Sequence, residues 1–395
     1  MSASFQPLAG ITVVTLEHAI AAPFATRQLA DLGARVIKVE RPGSGDFARG
    51  YDQRVRGLSS HFVWTNRSKE SLSLDVKDPQ ARDLLLRLIV EQADVVVQNL
   101  APGASARLGL SYAELSARKP GIIVCDISGY GADGPYRNKK AYDLLIQSEA
   151  GFLSVTGTEQ TPSKAGPSIA DIAAGMYAYT NILAALLHRQ QTGEGRHIDL
   201  SMLESLTEWM GYPLYYAFEG AAPPPRTGAS HATIYPYGPF PSGDGRTVML
   251  GLQNEREWRV FCELVLERPE LAQDDRFAAN FKRSAAREEL RQIIVDVFAA
   301  LTAAQIVERL ERANIANAQV NELADVWAHP QLAARKRWAE VETPEGSVPA
   351  LLPPGLGGQA RMDAVPALGA HTQSILADLG CTGEQIAAMR ERGAA

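Results

Sequence analysis

Four short apolar runs early in the chain limit what it can fold into. Residues 11–16, 36–40, 94–98 and 121–128 each have the length and composition of a strand. Between them, residues 22–32 and 79–92 carry apolar positions at helical spacing. Strands alternating with helices build βαβ units. The spacing therefore predicts an α/β fold around an open, doubly wound parallel sheet, with ligands at the carboxyl ends of its strands. The pattern breaks at AAPPPRTG, 221–228, which reads as a linker. Beyond it, runs at 234–240 and 246–251 flank an SGDG turn and predict a hairpin. Helices near 255–266 and 283–313 follow, and LLPPGLGG at 351–358 precedes a helical tail.

Composition narrows the function. At 395 residues and 46% hydrophobic, the chain can bury a large core, and a net charge of −6 argues against nucleic acid as partner. No charged and apolar leader opens it, and the longest apolar helix, near 172–187, reads as too short to span a bilayer. The expectation is a cytoplasmic protein without membrane partners. Cys125, Cys262 and Cys381 lack CxxC or metal-ligand spacing, so no metal site is expected. Residues 129–134 read GYGADG, but Pro135 follows where a dinucleotide site needs a helix to begin. The first strand-to-helix turn, EHAIAAPF at 17–24, contains no glycine. A nicotinamide or flavin cofactor is not expected.

The chemistry is concentrated in GPSIADIAAGMYAYTNILAALLHRQQTGEGRHIDLSMLE, 166–204. Asp171 lies where an extended segment turns into a small-residue helix over about 172–191. A helix start favours an anion by about 0.3–1 kcal/mol. The residue is thus expected to stay ionised, either as a simple cap or as a nucleophile.

An Asp, then Gly175, then a helix and TGEGRHIDLSMLE resembles the class III coenzyme-A transferases. The likeness also runs through LAGITVVTLEHAIAAPFATRQLADLGARVIKVERPGSGD from Leu8, NRSKESLSLDVK at 66–77, ADVVVQNLAPGASARLGL at 93–110, IIVCDISGYGADGPY at 122–136 and DVWAHPQLAAR at 325–335. The resemblance implies a large Rossmann-like domain from residues 1–220 with 330–395, and a smaller α+β domain over 228–325. It also implies an interlocked homodimer.

It further implies that Asp171 carries the acyl group and then CoA. No prosthetic group is required, and the acyl-CoA thioester is a substrate beside a small carboxylic acid. Arg41, Leu74, Lys77, Asn99, Leu100 and Arg107 match positions that hold CoA. Lys140, Tyr142, Asp143 and Gln147 match the acyl site. Tyr142 stands where the related α-methylacyl-CoA racemases have a His, and phenols titrate near ~10, too high for easy enolisation, which favours a transferase. A non-catalytic CoA-binding module is the other alternative. Ile20 replaces a Gln of the formyl-CoA enzymes. Residues 45–64 and HATIYPYGPF are most similar to the mesaconyl-CoA C1–C4 branch. Arg49, Arg54, Arg56, His61 and His231 are the candidates for a second carboxylate. Succinyl-CoA-dependent transfer to malate, itaconate or citramalate is the alternative substrate reading.

Overall fold

The computed structural model describes residues 5–356 and 360–395, so the end of LLPPGLGG lies outside the described residues. Two compact units emerge. The first comprises Met1–Gly151, Ala165–Met210 and Pro330–Ala395, and the second Phe152–Lys164 and Gly211–His329. Residues 152–164 and 211–220, which sequence reading placed with the large domain, thus belong to the second unit.

The first unit is built on a six-stranded parallel sheet of β1 (Thr12–Leu16), β2 (Arg35–Glu40), β3 (Lys69–Ser73), β4 (Val95–Gln98), β5 (Ile123–Ser128) and β6 (Arg196–Ser201). Their spatial order is β3-β2-β1-β4-β5-β6. Val13 on β1 lies opposite Val36 of β2 and Val95 of β4, so β1 and β4 are the central pair. The chain winds one way from β1 to β3 and the other way from β4 to β6. That reversal opens a crevice at the carboxyl ends of β1 and β4.

Both faces of the sheet are covered. On one, Val14, Ile37, Leu72, Val96 and Val124 pack with Leu84, Leu85 and Leu88 of α2 (Pro79–Gln92), Leu115 of α3 (Tyr112–Arg118) and Leu376 and Met389 near the C-terminus. The other face carries α1 (Ala21–Asp31) and, after the short α4 (Asp143–Glu149), the long α5 (Ile169–Thr192). Their approach is close because Gly175 has no side chain; a Cβ there would fall 2.7 Å from the Ala21 carbonyl oxygen and 2.9 Å from the Phe24 ring. Gly193, at φ 78°, ends α5 by donating to the Arg189 carbonyl at 2.7 Å. Arg189 in turn pairs with Asp94 at 3.0 Å and ties the helix end to the sheet.

Two elements depart from expectation. The helix α5 has 24 residues and is long and apolar enough to cross a bilayer, not too short as predicted; the core helix of a globular protein passes the same test, and α5 packs on α1, β5 and β6. The strands β3 and β6 were not anticipated, because KESLS and RHIDLS are too polar to read as strands. Lys69, Ser71 and Ser73 of β3 are nonetheless buried. Ser73 N donates to Thr372 Oγ1 at 2.9 Å and Ser71 N to His371 Nδ1 at 3.1 Å, so the C-terminal tail covers that edge.

In the second unit, β7 (Tyr237–Pro241), β8 (Thr247–Gly251) and β9 (Ala316–Gln319) form an antiparallel sheet. It packs over an aromatic core of Trp258, Phe261, Phe277, Phe298 and Phe240. The predicted 283–313 helical region breaks into separate helices, including α6 (Arg287–Phe298).

Candidate active site

A cleft of 620 Å³ opens at the carboxyl ends of β1, β2, β3 and β4. Five of the six residues expected to hold CoA line it: Arg41, Leu74, Lys77, Leu100 and Arg107. The three basic groups are exposed and have no carboxylate partner among the described residues. Leu16, Val39 and Val76 add an apolar floor. Scattered unpaired cations around an apolar slot suit a ligand with phosphates at one end and an uncharged arm at the other. Asn99 is the exception. Its Oδ1 accepts from His18 N and its Nδ2 donates to His18 O, both at 2.9 Å, so it clamps the backbone of the turn that forms the cleft wall.

That turn is held from below by a buried charge network that sequence reasoning missed. Ala19 adopts φ 59°, a strained value for a non-glycine, and its N–H donates to Asp46 at 3.2 Å. Asp46 pairs with Lys38 at 2.7 Å; Glu17 lies 3.4 Å from Lys38 and 2.6 Å from Lys69. All four side chains are buried. Thr15 and Thr26 donate to the other Glu17 oxygen at 2.9 and 2.7 Å. Burial alone would raise the Glu17 carboxyl; the charges of Lys69 and Lys38 outweigh it and hold the group at about 2. A lysine in the middle of the apolar strand RVIKVE was the available signal.

Asp171 sits in the first turn of α5, but it does not cap the helix. Asp143 does: its Oδ1 accepts from Ala170 N at 2.8 Å and Asp171 N at 3.3 Å. Gln147, fully buried, fixes Asp143 by donating to its Oδ2 at 2.7 Å and accepts from Ala165 N at 2.9 Å. The Asp171 carboxylate is left with no hydrogen-bond partner among the described residues. The expectation that the helix start would keep it ionised is therefore corrected. Burial, then the like charge of Asp143, push its pKa up to about 7.

An aromatic path connects this carboxylate to the cleft. His18 lines the cleft and stacks on Phe47 at 5.2 Å; Phe47 meets Tyr51 at 5.7 Å; Tyr51 meets His61 edge-on at 5.2 Å. Tyr51, not anticipated from sequence, is raised to about 12 by burial and then by the charges of Asp46 and Asp171 and by Tyr142, which places these groups near one another. Tyr142 itself is 68% exposed. On α5, Gly175 lies one turn beyond Asp171 and closely approaches Ala21 at the start of α1. That helix start has no side-chain cap.

The second-carboxylate candidates fare unequally. Arg49 is committed: it makes a bidentate pair with Glu40, both contacts 2.8 Å, donates to the Pro366 carbonyl and stacks 3.7 Å over Phe62. A substrate carboxylate there would have to displace Glu40, so Arg49 reads as structural. Arg54, Arg56 and Lys140 are exposed without carboxylate partners among the described residues. His61 has its Nδ1 3.3 Å from Asp52, an acid whose pKa is lowered by backbone hydrogen bonds from Arg54 and Ser60. In the second unit, His231 Nδ1 accepts from Thr233 N and Ile234 N at 3.1 and 3.0 Å, and the ring stacks on Tyr237. The ring thus holds its own loop and keeps only Nε2 as a donor.

The model of CoA-transferase family III matches residues 8–372. A succinate–glutarate CoA-transferase of Agrobacterium fabrum is 34% identical over 385 residues, covering 94% of this chain and 96% of that one. A succinyl-CoA:mesaconate CoA-transferase of Haloarcula hispanica is 34% identical over 345 residues, 85% of each chain. The crystal structure of a CAIB/BAIF family protein from Brucella suis superposes with a TM-score of 0.82 at 33% identity, covering 94% of this chain and 99% of that one. The chain belongs to CoA-transferase family III. It is an enzyme of that family, and acyl-CoA thioesters are its substrates.

The raised carboxyl has a measurable signature. A nucleophilic Asp171 must be ionised, so kcat/KM should rise tenfold per pH unit up to about 7 and then level. At pH 5 it should be about a hundredfold below the plateau. Asp143→Asn removes the second of the two causes and should move the limb to lower pH. A limb centred near pH 4 in the wild type would contradict the assignment.

Proposed function

We propose that the protein transfers coenzyme A between dicarboxylates of four or five carbons, with Asp171 as the covalent relay. The Asp171 carboxylate attacks the donor thioester carbonyl. A C–O bond forms, the C–S bond breaks, and CoA leaves as thiolate from an acyl-aspartyl anhydride. The thiolate then attacks the aspartyl carbonyl, which releases the donor acid and leaves an aspartyl-CoA thioester. The acceptor carboxylate runs the same two steps in reverse. No electrons are exchanged with a cofactor and no water enters.

The observation that carries this reading is the state of Asp171: a desolvated carboxylate without hydrogen bonds is a stronger nucleophile than a capped one. The N–H groups of Ala170 and Asp171 are taken up by Asp143 and are not available as oxyanion donors. The uncapped start of α1 is the better candidate for that task. The cleft at the strand ends would hold CoA through Arg41, Lys77 and Arg107.

The dicarboxylate class is supported by the names of the relatives, which act on succinate with glutarate or mesaconate. Those names favour intermolecular transfer. The intramolecular C1-to-C4 shift of mesaconyl-CoA is the second reading, with Arg54, Arg56 and Lys140 free to meet a distal carboxylate. A charge-assisted pair loses about 2–5 kcal/mol when one partner is removed, so succinyl-CoA with glutarate or mesaconate should outperform butyryl-CoA with butyrate by at least about thirtyfold. Equal rates would refute the dicarboxylate pocket. Mesaconyl-C1-CoA incubated with labelled free mesaconate decides between the two readings: conversion to the C4 ester without uptake of label means intramolecular transfer, and uptake at the conversion rate means intermolecular transfer.

A further inference from the structure

The second unit holds a cavity of 790 Å³ lined by none of the residues assigned above to CoA or the acyl group, a size typical of small-molecule sites. One wall is the start of α6, where Arg287 and Arg291 both face the cavity. Residues four apart share a helix face, and like charges so placed repel. Arg287 is also the first residue of the helix, where the dipole disfavours a cation. Neither guanidinium has a carboxylate partner among the described residues. Arg287 donates to the carbonyls of His231 and Ala232 at 3.3 and 3.0 Å and lies over the Tyr235 ring at 5.3 Å. Arg291 donates to the Pro239 carbonyl at 3.2 Å and lies 5.5 Å from the Phe240 ring centre.

Tyr235 supplies an independent observation. It is 3% exposed and lines the cavity, yet its hydroxyl has no hydrogen-bond partner. Burial pushes that phenol up to about 12 against the pull of Arg291 and Arg287; Arg291 comes close enough to the hydroxyl to act on it, but not with the geometry of a hydrogen bond. The carboxylates at the cavity are Glu159 and Glu288, both exposed. Glu288 also works to raise the phenol, so it faces the same group from α6. Two crowded cations at a helix start and an orphaned buried hydroxyl are each satisfied by one oxyanion.

We propose that this cavity binds a small organic anion, its carboxylate or phosphate group held by Arg287, Arg291 and the Tyr235 hydroxyl. The test is calorimetric titration of the full chain with glutarate and with inorganic phosphate, at matched ionic strength, in wild type, Arg287→Gln/Arg291→Gln and Tyr235→Phe. One anion should bind the wild type, at least tenfold more weakly in the double variant and about threefold more weakly in Tyr235→Phe. Whichever anion responds identifies the group. Arg287 also holds the His231 loop, so Tyr235→Phe, which leaves that loop's bonds in place, is the variant that sets this site apart from the acyl site. Should the double variant not fold, the isosteric Tyr235→Phe decides. Equal affinity in the folded variants and wild type, or no binding of either anion, overturns the proposal.

Discussion

Asp171→Ala is expected to lower kcat by at least about 10⁴-fold, because removal of a covalent nucleophile leaves only binding and oxyanion stabilisation. Asp171→Asn should be as inactive, yet more stable than wild type at alkaline pH. A carboxyl whose folded pKa is raised contributes nothing to pH-dependent stability below its unfolded value near 3.8. It destabilises progressively as pH climbs to about 7, where the buried form must ionise. Every tenfold weakening of the acid corresponds to about 1.4 kcal/mol, so Asp171→Asn should gain up to about 4 kcal/mol at pH 8. The gain should vanish near pH 3.5. Urea unfolding at the two pH values measures it. A tenth of wild-type turnover in Asp171→Ala would sink the covalent role, and equal stability at pH 8 would sink the buried, unpaired state.

Glu17→Ala should be among the most destabilising single changes in the first unit. It leaves Lys38 with Asp46 alone and strips Lys69 of the carboxylate that lies 2.6 Å away in a fully buried setting. Breaking one partner of a buried pair typically costs about 3–5 kcal/mol. The unfolding midpoint in urea should drop accordingly. Because the same network holds Asp46 under the strained Ala19 turn, the surviving folded enzyme should also show a raised KM for acyl-CoA. A loss under about 1 kcal/mol would show that the network is not a structural unit.

Much of this was legible in the residues. The apolar runs that became β1, β2, β4 and β5 and the helical spacing of α1 and α2 stood out because burial on both faces writes itself as hydrophobicity. The strands β3 and β6 did not. Lys69 and Ser71 are buried only because Glu17 and Glu40 receive them, and Ser73 because Thr372, far along the chain, does. The cleft residues Arg41, Leu74, Lys77, Leu100 and Arg107 were found through the family's motifs, not through spacing.

The roles around Asp171 were misassigned for a similar reason. Local sequence offers the acid nearest the helix start as its cap. The cap is Asp143, brought from α4, and this long-range contact turns Asp171 into an unpaired group. Arg49 resembled a free cation until the bidentate pair with Glu40 was visible. Tyr51 carried no periodic signal at all.

The covalent relay is tested most directly by oxygen transfer. When an acceptor carboxylate attacks aspartyl-CoA and the thiolate then takes its acyl group, one acceptor oxygen stays on Asp171. A single turnover of the CoA-charged enzyme with acceptor acid labelled in both carboxylate oxygens with ¹⁸O should place one label in the peptide carrying Asp171, read by mass spectrometry. The next turnover should pass about half of that label into the released donor acid, because either oxygen of the Asp171 carboxylate can make the attack. An unlabelled Asp171 peptide, with product formed at the normal rate, would contradict the aspartyl intermediate.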